Sequence, residues 1–183
     1  MIIGLTGLAG SGKSEVAAAL REFGGFKRVP LAGPLKSMLE TVGFTHAQLW
    51  GDEKATPLAD FGGKTPRHIM QTLGTDWGRQ MVDQDIWITL WKKSVTVGPH
   101  ADYNVVVDDV RFPNEVEAVR ALGGQVWRVE RPGVATMGHE SETHIANLAV
   151  DRILPNTAGL YELREMARSA YQHAAYPPAL TDA

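Results

Sequence analysis

Four positions near the amino terminus set the first chemistry open to this chain. Gly7-Leu8-Ala9-Gly10-Ser11-Gly12-Lys13-Ser14 fits the spacing Gly-x4-Gly-Lys-Ser at every specified place. Glycines allow backbone angles that a side chain would forbid, so successive N–H groups can turn inward around a phosphate. Lys13 can bridge the two outer phosphates of a nucleoside triphosphate, and the Ser14 hydroxyl can ligate Mg²⁺. At ordinary residue frequencies a chain of this length matches by accident roughly one time in a hundred. The flanks lower that chance, with an apolar run over 1–6 before the loop and a helix-prone run over 15–20 after it. Strand, glycine loop and helix is the order that brings the positive end of a helix to the same phosphates.

A phosphate loop needs an acid at the end of a buried strand to hold Mg²⁺ directly or through water. Asp108 and Asp109 both follow the β-branched run Val105-Val106-Val107. Successive side chains on a strand point to opposite faces, so one of the two is expected at the metal and the other in a structural role. Arg111 stands close behind, where it could meet a transferring phosphoryl group. Arg67 and Gln71 lie one helical turn apart, and Arg79 follows on the next helical piece. Planar guanidinium groups suit bidentate recognition of phosphate. Trp77, Trp87 and Trp91 could stack on a nucleobase, although aromatics at helical spacing usually belong to a core. Arg128 and Arg131 lead into a polar, glycine-bearing segment that reads as a lid. His139 and His144 have four residues between them, where a zinc-protease helix needs three, so that chemistry is rejected.

The elements that must position these residues alternate between strand and helix. After the loop, Val16, Ala19, Leu20 and Phe23 repeat at helical spacing until Gly24-Gly25. A second strand is expected at Phe26-Lys27-Arg28-Val29, then a helix opened by Pro34 that stops near Gly43. Thr45 can cap a short turn reaching Trp50. From 51 to 64 the composition shifts to that of a mobile, solvated loop. Thr65 and Pro66 start a helix expected to end at Leu73-Gly74. A second piece follows from Asp76, and a third runs from about 85 to 97. Beyond the strand at 104–107, Pro113 opens a helix to Leu122, and Gln125–Val129 alternates into a further strand. Arg152-Ile153-Leu154 is a short last strand, and Leu160, Leu163, Ala167 and Ala170 form one face of a final helix. Such alternation predicts a three-layer α/β fold around a parallel sheet. The core is expected at 1–34, 98–130 and 144–176, with a helical lobe inserted at 35–97, a lid at 131–143 and a loose tail at 177–183.

Composition excludes several function classes. At 183 residues the chain can bury one good core. A net charge of −3 without a Lys/Arg cluster argues against a polymeric nucleic acid partner. There is no cysteine, hence no disulfide framework and no thiolate chemistry. The apolar start lacks a basic leader and is used as a strand, and no run approaches the length of a membrane span. These features lead us to expect a cytoplasmic enzyme, and the helical lobe leaves room for a homodimer.

With these residues in hand, the chain resembles the bacteriophage deoxynucleoside monophosphate kinases and, through them, the wider nucleoside monophosphate kinase superfamily. The resemblance rests on the phosphate loop, on Leu31-Ala32-Gly33-Pro34-Leu35-Lys36, and on Arg67-x3-Gln71-x2-Gly74-Thr75-Asp76-x2-Arg79 with Trp87 beyond. It continues in Asp109-Val110-Arg111-Phe112-x-Asn114-Glu115, His139-x-Ser141-Glu142 and Asn156. It implies a P-loop kinase fold with a helical insertion for the monophosphate and a short lid, and a host-cytoplasm enzyme if phage-encoded. It further implies ATP on Gly7, Ala9, Gly10, Ser11, Gly12, Lys13 and Ser14 with Arg128 and Asn156. The implied acceptor, a deoxynucleoside monophosphate, is held by Lys36, Arg67, Gln71, Arg79, Asp109 and Trp87. Mg²⁺ falls to Ser14 and Asp109, the resemblance favouring Asp109 over Asp108, and catalysis to Lys13, Arg111 and Arg131. Dephospho-coenzyme A kinases begin almost identically but usually carry Asp-Ala-Asp after the second strand. Animal-type phosphomevalonate kinases lack the Phe-x-Asn-Glu continuation. A GTP-hydrolysing switch would have Asp-x-x-Gly where Asp108-x-x-Arg111 stands.

Overall fold

A computed structural model of the chain describes residues 1–134 and 145–176. Most of the segment read as a lid, including His139, Ser141 and Glu142, together with His144 and the tail from 177, lies outside the described residues. The chain divides into two compact units, Met1–Pro30 with Ser94–Ala183, and Leu31–Lys93.

The first unit is built on five parallel strands: β1 (Ile2–Thr6), β2 (Lys27–Arg28), β3 (Val105–Val107), β4 (Gln125–Glu130) and β5 (Arg152–Pro155). They lie in the order β2-β3-β1-β4-β5. Ile3 faces Val106 on one side of β1 and Gln125 on the other. β3 is buried throughout, as a continuous β-branched run should be in a central parallel strand. Among the described residues, three helices of this unit cover the sheet: α1 (Lys13–Gly24), α6 (Pro113–Ala121) and α7 (Leu160–Ala175), numbered with those of the second unit in chain order. Ile3, Leu5, Val106, Trp127, Val129 and Leu154 pack with Val16, Ala19 and Leu20 of α1 and with Leu163, Ala167 and Ala170 of α7. On the opposite face, a Cβ at Gly4 would stand 3.4 Å from Val119 of α6. Helices on both faces of a parallel sheet make the three-layer α/β arrangement of a P-loop kinase. Leu160 departs from the expected apolar face of α7 and is exposed, because the buried stripe begins only at Leu163.

The second unit is helical: α2 (Gly33–Thr41), α3 (His46–Leu49), α4 (Pro66–Gln71), a π-helix (Thr72–Val82) and most of α5 (Ile86–Thr96). Thr45 caps α3 as expected, its hydroxyl accepting from Gln48 N–H while Gln48 returns a bond to Thr45 N–H. Thr65 caps α4 by accepting from His68 N–H. Leu39, Phe44 and Leu49 form a small core with Ile69, Met70 and Leu73 against it. Two expectations change here. The segment 51–64 is largely exposed but internally bonded, with two 3₁₀ turns and a bridge in which Leu58 N–H reaches Lys64 O at 2.9 Å. Phe61 anchors it on Phe44, ring centroids 5.3 Å apart. The helix begun at Pro66 does not stop at Gly74 but continues to Val82 in a wider register, with Asp83 N–H bonding Gly78 O five residues back. Among the described residues no helix is long and apolar enough to cross a membrane.

Leu20 is fully buried between the sheet and α7. Leu20→Ala is expected to lower unfolding free energy by about 2–5 kcal/mol, read as a lower urea midpoint by circular dichroism.

Candidate functional site

Parallel strands deliver their C-terminal ends to one edge, and in such sheets ligands bind where the strand order reverses. Here the reversal falls at β1, with β3 on one side and β4 on the other. The phosphate loop leaves β1 at that edge. Asp108, Asp109 and Arg111 follow β3, Arg131 follows β4, and Asn156 follows β5. The topology therefore brings the phosphate-directed residues of the first unit to one end of the sheet.

The loop is held by backbone more than by side chains. Gly7 (φ 138°) lies so close to β4 that a Cβ there would collide with Val129 O, and Gly12 (φ 110°) leaves only 2.8 Å between such a Cβ and Asn156 Nδ2. No other residue type fits these angles and approaches. Gly12 caps α1 directly, its carbonyl accepting from Glu15 and Val16. Asn156 donates its side-chain amide to Ser11 O at 2.9 Å, while its own N–H reaches Glu130 O. That places Asn156 as a brace on the loop. The Lys13 ammonium rests on Gly7 O and Leu8 O, at 2.6 and 2.8 Å. Ser14 is exposed at the start of α1, and the buried Ser11 hydroxyl has no hydrogen-bond partner.

A cavity of about 300 Å³ opens beside the loop, lined by Gly7, Leu8 and Ser11 and, from the β4 end, by Arg128 and Arg131 among others. Arg128 is tied down there, with Nε on Glu130 at 2.7 Å and a terminal nitrogen on Ala146 O and Leu148 O. Arg131 is exposed and donates to Gly10 O at 3.5 Å.

The two aspartates differ in their surroundings. Asp108 is buried, with one oxygen 2.8 Å from Arg28 Nε and the other oxygen buried without a hydrogen-bond partner. Asp109 is half-buried. Behind them, the buried Glu115 carboxylate accepts from the N–H groups of Arg111 and Phe112, at 2.7 and 3.1 Å. This fixes the backbone from which the Arg111 side chain departs. Sequence reasoning gave Glu115 no role, although an acid two residues after a helix-opening proline is the signal of a capping carboxylate. Nothing local in the sequence signals the Arg28–Asp108 pair, which joins neighbouring strands.

Within the second unit, Lys36 on α2, Arg67 and Gln71 on α4, and Arg79 in the π-helix are half-buried. The Lys36 ammonium sits 3.6 Å from the centre of the Trp50 ring, and the Trp50 indole N–H donates to Glu40 at 2.9 Å. Trp87, which the resemblance gives to the acceptor, is a core ring in this structure. It is 5% exposed and its indole N–H donates to Gly74 O at 2.8 Å, so no ring face is open to a base. A hydrophobic ring on a helical stripe enters the core unless something polar holds it out. Trp91 is buried as well, and Trp77 is partly exposed.

Comparison with known proteins adds to this geometry. The family model of deoxynucleotide monophosphate kinase matches residues 62–166, more than half of the chain. A protein of Acanthamoeba polyphaga mimivirus, provisionally named a deoxynucleotide monophosphate kinase, is 33% identical over 95% of this chain and 97% of its own length. The deoxynucleotide monophosphate kinase of Escherichia phage RB69 is 34% identical over 53% of this chain, which spans 41% of that relative. The deoxynucleoside-5′-monophosphate kinase of Escherichia phage T5 is 42% identical over 31% of this chain and 22% of its own length.

Replacing Glu115 by alanine strands two backbone donors. Glu115→Ala is expected to cost about 1–3 kcal/mol of stability in urea titrations, and Glu115→Gln, which keeps an oxygen acceptor, is expected to cost less.

Proposed function

Because the chain belongs to the deoxynucleotide monophosphate kinase family, we propose that it moves the γ-phosphoryl group of ATP to a deoxynucleoside 5′-monophosphate, releasing ADP and the deoxynucleoside diphosphate. The observation that carries this reading is the braced glycine loop with Lys13, set at the sheet edge from which Arg111 and Arg131 also depart.

An oxygen of the acceptor phosphate attacks the γ-phosphorus, and the bond from that phosphorus to the β,γ-bridging oxygen breaks, its electrons leaving with ADP. The attacking oxygen is already anionic at neutral pH, so no general base is required. The protein's task is to hold two polyanions in line and to stabilise the charge on the moving group. Lys13 is suited to exchange its two loop carbonyls for phosphate oxygens without leaving the loop. Arg111 and Arg131 are the cations for the transferring group, and an arginine so used can be worth roughly 10³–10⁵ in rate. Arg128 and Asn156 serve the ATP site from beside the loop, as a cavity wall and a brace. Lys36, Arg67, Gln71, Arg79 and Asp109 are assigned to the acceptor.

The donor set also suits Mg²⁺. Ser14 and Asp109 offer hard oxygens, and the buried, partnerless oxygen of Asp108 could accept from a metal-bound water. When bound, the ion neutralises charge between the β- and γ-phosphates.

ADP release measured with ribo and deoxy monophosphates of each base tests the reading. Turnover that requires a deoxynucleoside monophosphate is expected; release that ignores the acceptor, or that responds only to dephospho-coenzyme A or phosphomevalonate, would sink it. Lys13→Ala is expected to abolish transfer with an unchanged circular dichroism spectrum. Arg79→Ala is expected to raise the acceptor KM by about 10- to 100-fold, from loss of charged hydrogen bonds, with ATP binding intact by titration.

A further inference from the structure

π-Helical turns generally occur singly, yet here eleven residues, Thr72–Val82, hold that register. So long a departure from α geometry needs something to stabilise it, and one side chain packs against this segment at two points. The Trp87 indole lies against Gly78, where a Cβ would come within 2.7 Å of ring carbon Cζ2. Four residues earlier, Gly74 O accepts the indole N–H at 2.8 Å. A carbonyl has two lone pairs, so this bond can add to one within the helix. The ring therefore touches the helix at two points one turn apart, a flat wall at Gly78 and a polar anchor at Gly74. At Gly74 itself there is room for a side chain, the nearest atom to a Cβ being Leu35 Cδ2 at 3.6 Å. Only at Gly78 does ring contact demand glycine.

The register matters for Arg79, which sits inside the π segment, whereas Arg67 and Gln71 precede it on α4. In an α-helix each residue turns about 100°. A chain closing bonds five residues back turns less per residue, so the direction of Arg79 relative to Gln71 depends on where the wider register begins and ends. We propose that Trp87 is a positioning residue: by wedging against Gly78 and bonding Gly74 O, it sets the π register and through it the direction of Arg79. This rests on the reading of Arg79 as a cation for the acceptor phosphate. Trp87 acts without touching substrate, which accounts for a tryptophan close in sequence to the acceptor residues being buried.

Trp87→Phe keeps a ring and removes the N–H. In the nucleotide-free protein, hydrogen-bond NMR or a crystal structure should then show Asp83 N–H moving from Gly78 O to the carbonyl four residues back. Steady-state kinetics should show the acceptor KM rising about tenfold, with the ATP KM within about twofold. In an Arg79→Ala background the same change should add nothing further to the acceptor KM. Gly78→Ala, which pushes the ring away, should reproduce both signatures and serves if Trp87→Phe does not fold. An unchanged register in the folded variant would overturn the proposal, as would an acceptor KM that rises equally with and without Arg79. If Arg79→Ala leaves the acceptor KM unchanged, the acceptor reading of Arg79 fails, and with it the functional half of the proposal. The nucleotide-free register measurement identifies that case separately.

Discussion

An anion-binding loop works only if its backbone N–H groups are held turned inward toward the anion, and that constraint organises the first unit. The loop cannot fill its own interior with side chains, so its shape must come from outside. β4 presses against Gly7 through the Val129 carbonyl, and the turn after β5 grips Ser11 through Asn156. Both supports come from strands far away in sequence, β4 beside β1 in the sheet and β5 beside β4. A phosphate arriving there meets donors that have already lost their freedom, which is where such sites gain over water.

The same topology concentrates cations without making the chain basic. Within a chain of net charge −3, Lys13, Arg111 and Arg131 come to one edge because parallel strands all end there. Carboxylates control the geometry of several of these cations. Arg128 is bound to Glu130, Arg28 to Asp108, and the backbone of Arg111 to Glu115. Removing a guanidinium from water is tolerable when a partner takes up part of its charge, and the pairing also fixes orientation.

In the second unit, aromatic rings act as supports. Trp50 carries the Lys36 ammonium on its face and is itself held by Glu40. Trp87 occupies the slot that Gly78 leaves beside the π-helix. Each indole joins a large apolar surface to one directed N–H, a combination suited to fixing a neighbour's position.

The sequence by itself determined the phosphate loop, the alternation of strands and helices, the caps at Thr45 and Thr65 and the family. Each of these depends on residues within one or two turns of each other, where backbone angles and periodicity decide the outcome. Glu115 was equally local, and its capping signal was there to be read. What only the tertiary structure decided depends on partners far apart along the chain. It showed Asp108 bound to Arg28, Asn156 bracing Ser11, and the Trp87 ring turned inward with its N–H on Gly74 O. It also carried the helix through Gly74, where local propensity calls for a stop, because an indole from the next helix holds it in a wider register. Local propensities of a fraction of a kcal/mol per residue yield to such contacts, since packing and a buried hydrogen bond together outweigh them.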